Sequence, residues 1–86
     1  MEILTAIETD LVAPNQVGWV YFQEGDAVIA AKICATPSGQ FYAVLPTSYR
    51  QGVSVFTVYY RDRELWNKNA RALVAAFYAH REKERL

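Results

Sequence analysis

The 86-residue sequence predicts an α+β fold, an antiparallel meander of about five strands followed by one C-terminal amphipathic helix. Three observations lead there. β-branched and aromatic residues alternate in runs as far as Tyr60, and clusters of Gly, Pro, Ser and Asp divide those runs into hairpin-sized pieces. From Arg63 onward the apolar spacing changes from two residues to three and four.

Ile3, Thr5, Ile7, Thr9 and Leu11 alternate with mostly polar neighbours, which predicts a half-buried strand over residues 2–12. Pro14-Asn15-Gln16 makes a natural break after it. Residues 17–23 form a dense run of β-formers, apolar on both faces, and this places the second strand centrally. Glu24-Gly25-Asp26 supplies a tight turn, with Gly25 able to take a positive φ. The chain then returns over residues 27–35 with Ala27, Ile29, Ala31 and Ile33 on one face. Thr36-Pro37-Ser38-Gly39-Gln40 reverses it again before a short strand over 41–45, closed by Pro46, which cannot donate to a central ladder. After a 46–52 loop, Val53, Val55, Thr57 and Tyr59 alternate with Ser54, Phe56, Val58 and Tyr60, predicting a fifth strand over 53–60 with bulky groups on both faces. One face is expected to meet the helix and the other a second subunit or solvent. Trp66, Ala70, Leu73, Val74, Phe77 and Tyr78 then mark a helix over 63–83, with Asp62 as its N-cap and Glu64–Lys68 as a favourable pair. At 1.5 Å per residue it is roughly 33 Å long, more than short strands need for cover.

No repeat, low-complexity tract or linker divides the chain, and its length suits one domain with a single core. With 52% hydrophobic and 21% charged residues it has a globular rather than a disordered composition. The lone Cys34 excludes an internal disulfide and a paired-cysteine zinc site, which suits a reducing cytoplasm. No apolar run approaches the roughly 18 residues of a membrane span, and Glu2, Glu8 and Asp10 stand where a signal peptide carries basic charge. A cytoplasmic protein without a membrane partner is the expectation.

Net charge is zero, yet it is unevenly distributed. Residues 1–31 hold five acids and no Lys or Arg, whereas the remainder holds all nine basic residues against four acids. Such a gradient suits either a basic face for phosphates or a self-complementary fold, in which acidic strands lie near the basic helix of the same or another subunit.

Catalytic chemistry finds little support. Cys34 with His80 as base is the one conceivable nucleophilic pair, but Cys34 sits inside an apolar strand and His80 far along the helix among charges. Glu24 and Asp26 read as solvated turn residues. No Gly-rich phosphate loop, metal motif or nucleophile elbow is present, so neither enzyme activity nor a cofactor is expected. Twelve residues are aromatic. Trp19, Phe22, Phe41, Phe56, Trp66 and Phe77 are assigned to packing, while Tyr42, Tyr49, Tyr59 and Tyr60 have polar ends that tolerate exposure.

The segment Val28-Ile29, Lys32-Ile33, Gly39, Phe41, Ala43-Val44-Leu45-Pro46, Ser48, Arg50 and Gly52, followed by a strand and a helix ending near Tyr78, resembles the stage V sporulation protein G (SpoVG) family. The likeness spans roughly residues 17–80. Leu45 stands where that family has Met, Thr47 separates Pro46 from Ser48, and Tyr59-Tyr60-Arg61-Asp62 replaces a polar, proline-containing stretch. The resemblance implies a small homodimeric regulator that binds DNA or RNA, with Ser48 and Arg50 at matching loop positions. Read from the residues themselves, Tyr49 beside Arg50 is a recognition candidate, and Arg61, Arg63, Lys68 and Arg71 form a basic cluster around the helix start. The competing reading is a protein-interaction or inhibitor module, of the kind found among phage proteins, that binds a partner protein through its acidic N-terminal strands or its aromatic loop.

Overall fold

The computed structural model describes residues 1–9 and 15–84, apart from the side chains of Tyr49, Arg50 and Ser54. Strands β1 (Glu2–Glu8), β2 (Gln16–Glu24), β3 (Ala27–Ala35) and β4 (Phe41–Val44) form an antiparallel sheet in the order β1-β2-β3-β4. A separate two-stranded ladder follows, made of β5 (Thr47–Arg50) and β6 (Val53–Phe56), and the chain ends in helix α1 (Arg63–Glu84). The architecture is therefore α+β, an antiparallel sheet with one C-terminal helix.

The meander follows from its turns. Gly25, with φ 59°, occupies the first central position of the two-residue turn that pairs Glu24 with Ala27. Between β3 and β4 the polar loop satisfies itself: the Thr36 N–H donates to the Gln40 carbonyl at 2.8 Å, and the Gln40 N–H donates to Thr36 Oγ1 at 3.1 Å. Pairing then assigns each side chain to a face, because directly opposed residues point the same way. Ala6, Val20 and Ala31 share one row facing the helix. Ile7, Trp19, Lys32 and Val44 share the neighbouring row on the opposite face.

Helix α1 lies on the first of these faces. Leu73 and Phe77, four residues apart, are fully buried with Val20, Phe22, Ile29, Ala31 and Ile33, as the helical spacing of the sequence requires. Asn69 extends the same row one turn back and donates from its side-chain nitrogen to the Tyr60 hydroxyl at 3.3 Å. Gly18 makes this close packing feasible: a Cβ there would collide with the Ile7 carbonyl oxygen and the Phe77 ring. Asp62 caps the helix, its Oδ1 accepting from the backbone N–H groups of Glu64 at 3.0 Å and Leu65 at 3.2 Å. Arg81 and Lys83 in the last turn complement the other end of the helix dipole.

Three segments depart from the sequence reading by more than one residue. The strand expected over 2–12 ends at Glu8, with residues 10–12 outside the described part. The strand expected over 53–60 stops at Phe56, because its partner β5 begins at Thr47 directly after Pro46; the last bonds run from the Thr57 N–H and hydroxyl to the Pro46 carbonyl. Beyond that point the chain bends at Thr57 and Val58 and runs on without a ladder, with Val58 and Tyr60 packed on the core while Tyr59 is 71% exposed. Finally, the loop expected over 46–52 is mostly strand. It forms a hairpin whose two central residues, Gln51 (φ 53°) and Gly52 (φ 79°), both lie in the left-handed region.

Candidate nucleic-acid interface

β4 is an end strand, with a ladder partner on one side only. Helix α1 crosses the sheet face from β4 towards β1, and between β4 and the first half of the helix runs a two-lobed groove. The first lobe, about 450 Å³, is lined by Ala43, Val44 and Leu45 of the strand end, by Phe56, Tyr59 and Tyr60 of the connection, and by Arg63, Trp66 and Asn67 of the helix. A second lobe of about 490 Å³ continues past Trp66 and Asn67 to Phe41, Tyr42, Arg71, Val74 and Tyr78. Both volumes fall within the roughly 300–1,000 Å³ usual for ligand sites.

Aromatic packing shapes both lobes. Tyr60 and Trp66 meet at 5.4 Å between ring centroids with a 31° tilt, and Phe41 stacks on Tyr78 at 4.7 Å. The Arg81 guanidinium covers the Phe41 ring at 5.0 Å from its centroid. Burial raises the Tyr60 hydroxyl above its ordinary pKa, partly opposed by the bond from Asn69, so this phenol stays protonated and the groove gains no negative charge there.

Arg63, Asn67 and Arg71 recur every four residues and so form one polar stripe along the rim. Lys68 sits beside Arg71 on an adjoining shallow surface that also includes Asp62 and Glu64. Among the described residues, neither Arg61 nor Arg63, Lys68 or Arg71 takes part in an ion pair. Arg81, by contrast, is bonded to Glu8 of β1 at 2.9 Å. Near the C-terminal end of the helix Arg81 is thus paired with the acidic first strand, whereas the cations around the helix start are exposed.

The structure therefore places Arg63 and Arg71 on the groove rim and Lys68 beside Arg71 on the adjoining surface, with exposed Arg61 just before the helix. Ser48 pairs with Val55 inside the β5–β6 ladder and lines neither lobe. Tyr49 and Arg50 are strand residues rather than loop residues, and their side chains lie outside the described part. The expectation that Phe56 packs in the core is corrected. It is 57% exposed and stands at the mouth of the first lobe, because β6 belongs to a hairpin that the helix does not cover. Sequence reasoning passed over Asn67 and Trp66 as site residues, although the spacing Arg63-Asn67-Arg71 was available to find the first.

Cys34 and His80 do not meet. Cys34 pairs with Tyr42 on the helix-free face, and burial pushes its thiol up despite the opposing effects of Lys32 and the Tyr42 hydrogen bond. His80 lies on the helix near Ala6, Ile7 and Glu8. Among the described residues, no group of His, Cys, Asp and Glu is placed to hold a metal ion, and no helix is long and apolar enough to cross a membrane. No family model, curated protein or solved structure matches the chain.

Proposed function

We propose that this protein is a nucleic-acid-binding regulator that acts as a homodimer and holds the phosphate backbone with Arg63, Lys68 and Arg71. The observation that carries this reading is the separation of charge along α1. Arg81 is tied to Glu8, while among the described residues Arg63, Lys68 and Arg71 take part in no ion pair, and Arg63 and Arg71 border an aromatic groove. Cations beside stacked rings suit a ligand made of phosphates and bases. The resemblance of the β3–β5 segment to the SpoVG family points the same way. The alternative, an acidic surface that binds a partner protein, is weakened because Glu8 is already engaged by Arg81.

Titration of labelled single-stranded DNA, RNA and duplex DNA at two salt concentrations tests the proposal. Lys68→Ala and Arg71→Ala are each expected to weaken binding of all sequences about equally. Each should also make the log–log salt dependence shallower by about 0.7 to 0.9. Absence of saturable binding to all three nucleic acids at low salt overturns the reading and leaves the protein-interaction module in its place.

A further inference from the structure

We infer that the first lobe of the groove seats one unstacked base of a single-stranded nucleic acid, with Tyr59 and Trp66 as its aromatic walls and the Asn67 carboxamide reading its edge. This rests on the nucleic-acid reading and goes beyond it, since phosphate contacts alone do not distinguish single strands from duplex.

The composition of the lobe carries the inference. Its walls are aromatic and aliphatic, it contains one amide and one guanidinium, and no carboxylate lines it. A flat, polar-edged, aromatic group attached to an anion matches that set, as an uncharged apolar ligand or a cation does not. Tyr59 is the strongest single sign. It is 71% exposed, while its neighbours Val58 and Tyr60 are drawn into the core, so the connection to the helix holds a large ring at the mouth of a concave site. Trp66 is held against Tyr60 at 5.4 Å and so presents a fixed face rather than a mobile one.

Polar groups stand where base edges need them. Asn67 borders both lobes, and a carboxamide offers a donor and an acceptor side by side, the arrangement that pairs with an adenine edge. The free edge of β4 adds peptide groups with no ladder partner on that side. Arg63, at the start of the helix, is placed to meet the phosphate attached to the seated base. Bases stacked inside a duplex cannot enter such a lobe without being flipped out, so a single strand is the expected form.

The test uses Tyr59→Ala and Asn67→Ala, both at exposed positions where folding is little affected. The probes are labelled oligodeoxyadenylate and the other three DNA homopolymers, an abasic strand of equal length, duplex DNA and free adenosine monophosphate. Tyr59→Ala is expected to lower affinity for the oligodeoxyadenylate by about 5- to 150-fold with an unchanged salt slope, and to leave abasic-strand and duplex binding as they were. Asn67→Ala is expected to reduce the preference for adenine over the other homopolymers. If Lys68→Ala weakens binding while Tyr59→Ala does not, the phosphate-binding reading stands and the base lobe is overturned. Adenosine monophosphate bound as tightly as the strand overturns the single-strand assignment in favour of a free-nucleotide site, and no binding of any probe overturns both proposals.

Discussion

Gly18 shows how much one residue decides in a domain this small. It pairs with Glu8, the last residue of β1, on one side and with Ile33 of β3 on the other, and its missing side chain is the space into which the Phe77 ring fits. The colliding groups are a backbone carbonyl and a fully buried ring, neither of which can swing aside. Gly18→Ala is therefore expected to destabilise the protein by about 1 to 3 kcal/mol, the usual cost of overpacking. Denaturant unfolding that gives the parent's midpoint would show that β1 and α1 can move apart at no cost. Phe77 itself was legible in the sequence from its four-residue spacing to Leu73. Gly18 was not, because a glycine inside a run of β-formers reveals neither what crosses over it nor how closely.

Cys34 supplies a second consequence at this scale, in the dependence of stability on pH. Burial favours the neutral thiol, so its pKa in the folded protein lies above the ordinary 9.0. A group whose folded pKa is raised contributes stability that is fully present below its unfolded pKa and is lost as pH rises through the folded value. The loss therefore falls on the alkaline side, above pH 9.0. The melting temperature of the parent is expected to fall more steeply between neutral pH and about pH 10 than that of Cys34→Ala. Parallel curves would mean that the thiol titrates alike in the folded and unfolded chains.

At the scale of elements, the helix, the Gly25 turn and the Thr36–Gln40 loop were readable, and the β5–β6 hairpin was not. Two features concealed it. Pro46 and a run of polar residues resemble a loop, and the turn is Gln51-Gly52 rather than the Asn-Gly or Asp-Gly that ordinarily marks a type I′ hairpin. The alternation of Val53 to Tyr60 misled in the other direction, because apolar residues can alternate beyond the end of a ladder: the chain bends at Thr57 and Val58, yet Val58 and Tyr60 still pack on the core. Tyr60 reaches the core through the connection and not through a ladder. The cryptic turn also yields a prediction. Gln51 holds φ 53° with a side chain, in a conformation that costs an L-residue roughly 1 to 2 kcal/mol, so Gln51→Gly should stabilise the fold by about 1 kcal/mol once the added chain entropy of glycine is allowed for. A fall in melting temperature would place the turn in another conformation.

At the scale of the whole molecule, the helix covers one face of the four-stranded sheet, and among the described residues no further helix or strand packs on the other. Ile7, Trp19, Lys32 and Val44 cross that second face in a single row, and Val28 stands out at 61% exposure near the β2–β3 turn. Lys32 is the only charge in the row, whereas the cations of the helix start lie on the other side of the sheet. The two surfaces therefore suit different ligands, a polyanion at the helix and a second copy of the chain at the sheet. Four strands about 4.8 Å apart, with a rise of about 3.4 Å per residue, give a face of about 500 Å² per subunit. Two copies would then bury about 1,000 Å² in total, at the low end for specific association. The expected dimer is consequently reversible, and light scattering over a dilution series should show the average mass falling toward that of a monomer. Trp19→Glu, at a half-exposed position, should shift that series toward monomer while leaving the melting temperature measured at the lowest concentrations close to the parent's. A mass that stays monomeric up to millimolar concentration would exclude self-association, and the helix-free face would then remain open as a second aromatic platform beside the groove.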